Sequence, residues 1–361
     1  DDNIEQFSDN ENEFDDFAEE VLLPHKLSNN GPFSASGDVN NDGLDDVFIG
    51  GASGQEGVLF IQTDERKFTR SKSKPWVVDK ESEDLGALFF DLDGDGDKDL
   101  YVTSGGSEFK KGNKLLKDRI YINDGLGNFS KNNSATPNVY ESTQTVKASD
   151  IDADGDLDLF IGTRLISGKY TFPATSYILI NEKGILRKAS KNIAPDLTNI
   201  GMVTDAVFSD IDKDNDEDLV IVGEWMKVKI LENIDGKFKD NSSRFGDYLD
   251  NSRGLWWTIT ANDIDNDGDT DYLLGNWGEN SKFKASKDHP LKMYYSDFDN
   301  NETTETIVCN YNKDGYYPIL GLDELASQLI SLRKKYPSYK NFAGKQISEI
   351  IEKSDFIYKW M

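Results

Sequence analysis

Six stretches of this chain set side-chain oxygens at alternating positions, a spacing that suits ligation of a hard divalent cation. The first reads Asp38-Val39-Asn40-Asn41-Asp42-Gly43-Leu44-Asp45-Asp46 and runs into the apolar Val47-Phe48-Ile49. The others begin at Asp91, Asp150, Asp210, Asp263 and Asp297. Donors fall at ladder positions one, three, five and nine. These are Asp38, Asn40, Asp42 and Asp46; Asp91, Asp93, Asp95 and Asp99; Asp150, Asp152, Asp154 and Asp158. They continue as Asp210, Asp212, Asp214 and Asp218; Asp263, Asp265, Asp267 and Asp271; Asp297, Asp299, Asn301 and Glu305. Position seven (Leu44, Asp97, Asp156, Asp216, Asp269 and Thr303) completes each candidate cage. An ion that takes six to eight oxygens is calcium, so the expected cofactor is about five or six calcium ions.

A helix–loop–helix calcium hand needs a bidentate Glu at position twelve. Here that position holds Ile49, Val102, Ile161, Ile221, Leu274 and Val308, all apolar and all inside the following strand. The ladders therefore belong to β-hairpins. A merely solvated acidic turn is disfavoured too, because Gly or Asn sits where the loop must bend and polarity alternates.

The elements that must position these ladders follow from their spacing. Successive starts lie 53, 59, 60, 53 and 34 residues apart. A repeat of tens of residues rich in short strands and turns marks a propeller or solenoid. Alternating apolar runs flank each ladder, a third strand follows in most units, and Asn123-Asp124-Gly125 and Ile234-Asp235-Gly236 supply turns. The expected fold is all-β: a propeller of six or seven four-stranded blades over residues 21–317. Residues 1–20, acidic and poor in apolar side chains, read as a flexible lead-in. After Pro318 the spacing of Leu322, Leu325, Leu329 and Leu332 predicts a helix, and Ile347, Ile350 and Ile351 a second. Residues 318–361 thus form a helical tail packed on the propeller or blocking an edge.

The 361 residues carry a formal net charge of −27. Much of that acidity is ladder chemistry, since positions one, three, five and nine alone hold 22 carboxylates. Clustered carboxylates repel, so bound calcium acts as folding energy. The negative balance excludes nucleic acid and anionic lipid as partners. No apolar run is long enough for a transmembrane helix. The single Cys309 rules out an internal disulfide and reads as a buried strand residue. Calcium sites of modest affinity fill where the ion is millimolar, which places the protein outside the cell. The opening Asp1-Asp2-Asn3 is expected of a trimmed start.

The ladder followed by a strand and a Gly-rich turn resembles the FG-GAP/VCBS repeats of integrin-α-like β-propellers. It is most similar to bacterial VCBS-repeat surface proteins related to the ASPIC/UnbV group. Supporting stretches are Leu22-Leu23-Pro24-His25, Gly201-Met202-Val203-Thr204-Asp205, Val222-Gly223-Glu224-Trp225-Met226 and Gly275-Asn276-Trp277-Gly278. That resemblance implies an outer-membrane-associated surface lipoprotein, a protein partner such as a TonB-dependent transporter complex, and membership of a longer chain.

Each ladder joins the first two strands of its unit, so the ladders share one face and the loops after the second strands share the opposite face. Those loops and the adjoining inner strands bring Arg164, Asp205, Glu224, Trp225, Trp257, Asn276 and Trp277 toward one another. Exposed Trp beside Asn, Arg and carboxylates suits a protein partner or the face of a sugar ring. Packing between blades is the competing assignment for the Trp residues. Catalysis has little support: His25 and His289 lie outside the repeats, and no nucleophile, phosphate-loop or zinc spacing occurs. A polysaccharide lyase would need Lys147, Arg164 or a Tyr as base, and a glycosidase would need a pair such as Asp205 and Glu224.

Overall fold

A computed structural model describes residues 7–64, 67–172, 174–189, 191–278, 281–299, 304–351 and 357–360. The first unit pairs β1 (Ser34–Gly37), β2 (Asp46–Ile49), β3 (Val58–Asp64) and β4 (Lys67–Arg70) in sequence order. The second repeats this with β5 (Asp84–Phe90), β6 (Asp99–Ser104), β7 (Arg119–Ile122) and β8 (Ser130–Lys131). The third uses β9 (Thr143–Ser149), β10 (Asp158–Thr163), β11 (Tyr177–Asn181) and β12 (Leu186–Lys188). The fourth uses β13 (Met202–Ser209), β14 (Asp218–Met226), β15 (Lys229–Asn233) and β16 (Phe238–Asp240). Every pairing is antiparallel, and each ladder spans the link between a unit's first and second strands. The architecture is β-propeller-like. First strands β1, β5, β9 and β13 lie side by side in that order, and β13 is followed by β17 (Gly254–Asn262) of the fifth unit.

Units join through shared cores rather than isolated ones. Phe48, Leu59 and Trp76 pack with Leu100, Val102 and Tyr121 between units one and two. Ile120 and Tyr101 pack with Leu159, Ile161 and Leu179 between units two and three, and Phe160 and Ile178 with Leu219 and Ile221 between three and four. Alternation along each strand puts one side chain toward each neighbour. Burial on both faces explains why β14 is buried at all nine positions.

The fifth unit departs from the expected four strands. Among the described residues it contains only β17 and β18 (Asp271–Asn276), and β17 hydrogen-bonds to the far end of β14, giving one six-stranded sheet. The sixth ladder joins β19 (Lys292–Ser296) to β20 (Glu305–Asn312), with β21 (Gly315–Pro318) beside β20 and β22 (Ile357–Trp360) closing the β19 edge. One face of this sheet, carrying Met293 and Val308, packs with Leu165, Tyr170, Trp225 and Leu255. Its other face, carrying Tyr294, Ile307 and Cys309, is covered by the tail. That tail forms α3 (Leu322–Gln328), α4 (Ser331–Lys335), α5 (Tyr339–Phe342) and α6 (Ile347–Ile350), preceded in the chain by α1 (Asp16–Glu19) and α2 (Asp247–Asp250). Leu322, Leu325, Leu329, Leu332, Ile347, Ile350 and Ile351 are all buried. The single helix expected through Leu332 is nevertheless broken at Leu329, whose backbone leaves the helical region (φ −91°, ψ 76°). Ile351 follows α6 rather than lying in it, and the expected helical tail ends in strand β22.

Residues 1–6 of the expected lead-in lie outside the described residues, but from Phe7 onward the segment is held by the loops opposite the ladders. Asp16 is buried, accepts from Leu27 N, Ser28 N and Ser28 Oγ, and receives Ser107 Oγ at 2.5 Å. Asn10 N donates to Gln55 at 2.7 Å, and Tyr170 N donates to Glu20 at 3.0 Å. A polar segment so paired crosses three units.

Candidate metal centres and a candidate binding face

The ladders owe their shape to hydrogen bonds from their own backbone. In the first five, the N–H at position six donates to the position-one carboxylate at 2.8–3.1 Å. Positions four and six both take left-handed φ. Position six is Gly in four cases and Asn215 in the other, as the turn requires, whereas position four tolerates Ala153 and Lys213. The position-nine carboxylate accepts the N–H of position two at 2.7–3.1 Å in all six ladders. In the first four units it also accepts an N–H from the third strand, Gln62, Asn123, Asn181 or Asn233, at 2.7–2.9 Å. One carboxylate therefore ties ladder to hairpin.

The neighbouring unit then caps each ladder. Asn123 Nδ2 donates to Val39 O of the first ladder at 2.8 Å, Asn181 Nδ2 to Leu92 O of the second at 2.7 Å, and Asn233 Nδ2 to Ile151 O of the third at 3.1 Å. The turn beyond each Asn lies against the same ladder. A Cβ on Gly184 would stand 3.1 Å from Asp93 Cβ, so the close approach as well as the positive φ calls for glycine.

The donor set fits a hard cation. Ligand atoms lie within 4.8 Å of one another in Asp91/Asp93/Asp99, Asp150/Asp152/Asp158, Asp210/Asp212/Asp214, Asp263/Asp265/Asp271 and Asp297/Asp299/Glu305. Asp97 Oδ1, Asp212 Oδ1 and Asp216 Oδ1 are buried without a hydrogen-bond partner, the condition an ion relieves. Burial and then crowding by neighbouring carboxylates push Asp97 up to about 6, and burial pushes Asp99 up to about 7 and Asp158 up to about 6. All donors are oxygens, which suits calcium over a thiolate- or imidazole-seeking metal. In the first ladder Asn40 Nδ2 donates to Asp42 at 3.0 Å, and Leu44 has only its carbonyl to offer. Asn301 and Thr303 lie outside the described residues.

On the opposite face the structure gathers most of the expected residues around one buried ion pair. Arg164 follows β10 directly, and its Nη2 donates to Glu224 Oε1 at 2.6 Å. Both side chains are almost fully buried, at 2% and 0% exposure. Tyr170 OH donates to Glu224 Oε2 at 2.6 Å and accepts from Trp225 Nε1 at 3.1 Å. Burial works to raise the Glu224 pKa, but Arg164, His25 and Tyr170 outweigh it and hold the carboxyl at about 2. Glu224 is thus fixed as an anion and Arg164 as its partner.

A backbone irregularity makes this possible. Pairing of β14 with β17 passes from Glu224↔Leu255 to Met226↔Gly254, leaving Trp225 as an extra residue with φ of 56°. A bulge of this kind re-aims side chains. Trp225, expected at a ligand face, is consequently buried among Leu23, Leu165, Tyr170 and Met293 and serves as core. Asp205 also stands outside the ion-pair network. It is ion-paired to Lys147 at 2.9 Å and accepts from Thr258 Oγ1 and Ile259 N, linking β9, β13 and β17.

An aromatic stack, with Trp257 and Trp277 half-buried and Phe283 buried in the core, runs out toward solvent from this pair. Arg164 Cζ lies 4.6 Å from the Trp257 ring centroid, and Trp257 stacks on Trp277 at 6.1 Å and 10°. Trp277 stacks in turn on Phe283 at 5.7 Å and 21°. His25 packs on Trp277 at 4.6 Å and contacts Arg164 Nη2 at 3.1 Å. Beside the stack lies a cleft of about 740 Å³ lined by Trp277, Phe283, Asn276, Arg253, Asp250 and Lys284. Tyr170 and His25 were not among the residues expected here. His25 was visible only as a histidine outside the repeats, and Tyr170 carries no sequence signal.

The repeated units define a β-propeller-like protein whose carboxylate ladders have a donor set suited to hard cations. A family model described as FG-GAP-like repeat matches residues 38–102 and 91–161, the first three ladders. No curated protein matches the chain. Among solved structures, an endo-arabinase from Bacteroides thetaiotaomicron is similar over 82% of this chain and 98% of its own, at 14% identity and a TM-score of 0.33. The V. cholerae biofilm matrix protein Bap1 is similar over 84% of this chain and 61% of its own, at 13% identity and a TM-score of 0.25.

Proposed function

We propose that this chain is a non-catalytic, calcium-stabilised binding protein of the bacterial cell surface that engages a protein partner through the face opposite its ladders. The FG-GAP-like repeats support the calcium and the extracellular setting, and a surface nutrient-uptake complex is the assembly we favour, in keeping with the resemblance to VCBS-repeat surface proteins near the ASPIC/UnbV group. The observation that carries the reading is the half-buried Trp257–Trp277 pair, backed by the buried Phe283 and the Arg164–Glu224 pair and rimmed by Asn276, Arg253 and Lys284. Rigid aromatic anchors with a polar rim are what binding hot spots are made of. Capture from detergent-solubilised surface membranes by the immobilised full chain, with and without Trp277→Ala, tests it. A partner retained by the native chain and lost with Trp277→Ala supports the proposal; equal capture by both contradicts it.

A glycan ligand is the second reading, favoured by the cleft beside the half-buried Trp277 ring, whose face could stack on a sugar while Asn276, Arg253 and Asp250 offer polar groups. Binding on an array of bacterial and plant polysaccharides that disappears with Trp277→Ala would select it. Lyase chemistry loses ground on the groups that would act as base. Lys147 is paired to Asp205, Arg164 is paired to Glu224, and burial followed by the Glu224 charge pushes Tyr170 well above the usual phenol range. Asp205 and Glu224 are each tied to their own cation, which leaves neither as a glycosidase acid.

A further inference from the structure

We propose a further calcium site at the end of the second unit remote from its ladder, built by Glu83 and Glu108 and completed by Asp9 and Glu11 of the N-terminal segment. Glu83 immediately precedes β5, whose seven residues span about 20 Å to the ladder that begins at Asp91. The site is therefore separate from the ladder centres.

Glu83 is 1% exposed. Its Oε2 accepts from Ser53 N at 2.6 Å, while Oε1 is buried and unpartnered. Glu108 Oε2 and Asp9 Oδ1 are likewise buried without partners. Glu83 and Glu108 converge on Gly106: a Cβ there would stand 3.0 Å from Glu108 Oε2 and 3.3 Å from Glu83 Cγ. The N-terminal segment arrives at the same place. Asn12 Nδ2 donates to Glu108 Oε1, and the backbone of Ala52, one residue before the amide that binds Glu83, works against the burial that raises the Asp9 pKa.

Buried carboxylates facing one another without a cation are costly. Burial and then the Glu108 charge push Glu83 up to about 9, and burial followed by the charges of Asp9 and Glu108 pushes Glu11 up to about 7. Lys26 is the cation acting on Glu11, and no ion pair joins Glu83, Glu108 or Asp9 among the described residues. The five ladder triads bring ligand atoms within 4.8 Å of one another and this group is not among them, so Asp9 and Glu11 must move inward as the ion binds. An all-carboxylate oxygen set suits a hard cation, and a group that must close around its ion suits calcium, which accepts irregular coordination, over octahedral magnesium. The consequence is a clamp: calcium fastens the N-terminal segment across units one and two.

The test uses the full chain. Calcium bound per chain is counted by equilibrium dialysis for the native protein, Glu83→Gln, Glu108→Gln and the ladder variant Asp93→Asn. Limited proteolysis of residues 7–30 is followed in calcium and in chelator. The proposal expects Glu83→Gln and Glu108→Gln each to lose about one ion, with the N-terminal segment cut in calcium as fast as the native chain is cut in chelator. Asp93→Asn should lose a ladder ion while keeping that segment protected. Unchanged stoichiometry in both glutamate variants overturns the proposal, because Glu83 is then simply a protonated buried acid. Should Glu83→Gln not fold, Glu11→Gln on the segment itself gives the same readouts.

Discussion

Arg164 Nη2 and Glu224 Oε1 meet at 2.6 Å with neither side chain exposed beyond 2%, joining the loop after β10 to the bulged end of β14. Each charge is taken out of water by the other's presence. Removing one partner strands the other, which costs about 3–5 kcal/mol. Arg164→Ala and Glu224→Ala should therefore each lower unfolding stability by that amount in urea melts. The double change Arg164→Met/Glu224→Leu should cost less than either, since no charge is left unpaired.

The two faces of the molecule respond to pH with opposite signs. Glu224, held at about 2, contributes stability that is fully present above its usual 4.5 and lost as pH falls toward 2. Burial raises Asp99 to about 7 and Asp158 to about 6 from 3.8, so the metal-free chain binds more protons folded than unfolded and loses stability as pH rises from about 4 to 7. Calcium binding must displace those protons. Its affinity should climb across pH 5–8, read by calorimetric titration at several pH values.

Position nine of a ladder has two jobs, and substitutions should separate them. Asp158 accepts Ile151 N at 3.1 Å and Asn181 N at 2.7 Å besides its place in a ligand group. Asp158→Ala leaves two amides unpaired and should cost about 1–3 kcal/mol per group even in chelator. Asp152→Ala, at position three, should lower stability in calcium yet leave the chelated melting temperature within a degree or two of native.

The cross-unit hydrogen bond from Asn181 to Leu92 O makes a further demand. Asn181→Ala removes a buried donor and strands a carbonyl at the second ladder, at a cost of about 1–3 kcal/mol. Asn181→Asp should be no better, because a carboxylate cannot donate. Chemical denaturation of the two variants distinguishes this staple from a packing effect, which Asp would largely preserve.

The ladders were legible because their signal is local: nine residues carry both the ligand spacing and the turn. The burial of Leu322 to Leu332 was legible for the same reason, whereas the break at Leu329 that divides the expected helix into α3 and α4 was not. What the sequence hid depends on distant juxtaposition. Trp225 looked like an exposed anchor until pairing with β17 forced a bulge and turned it inward. Residues 7–20 looked like a solvated acidic lead, yet Asp16 finds four donors on residues 27, 28 and 107. Tyr170, which completes the Glu224 network, lies in a loop with no periodicity to mark it. The fifth ladder matched its predecessors, but nothing local to it shows that no outer strand follows β18 among the described residues and that its sheet is continued from β14.

The central claim is that the ladders hold calcium and that calcium holds the fold. Differential scanning calorimetry of the full chain, decalcified and then titrated with calcium, tests it most directly. The account predicts a melting temperature that rises by 10 °C or more, on the order of several kcal/mol at saturating ion, with magnesium giving a much smaller rise. A melting temperature indifferent to both chelator and calcium would contradict it.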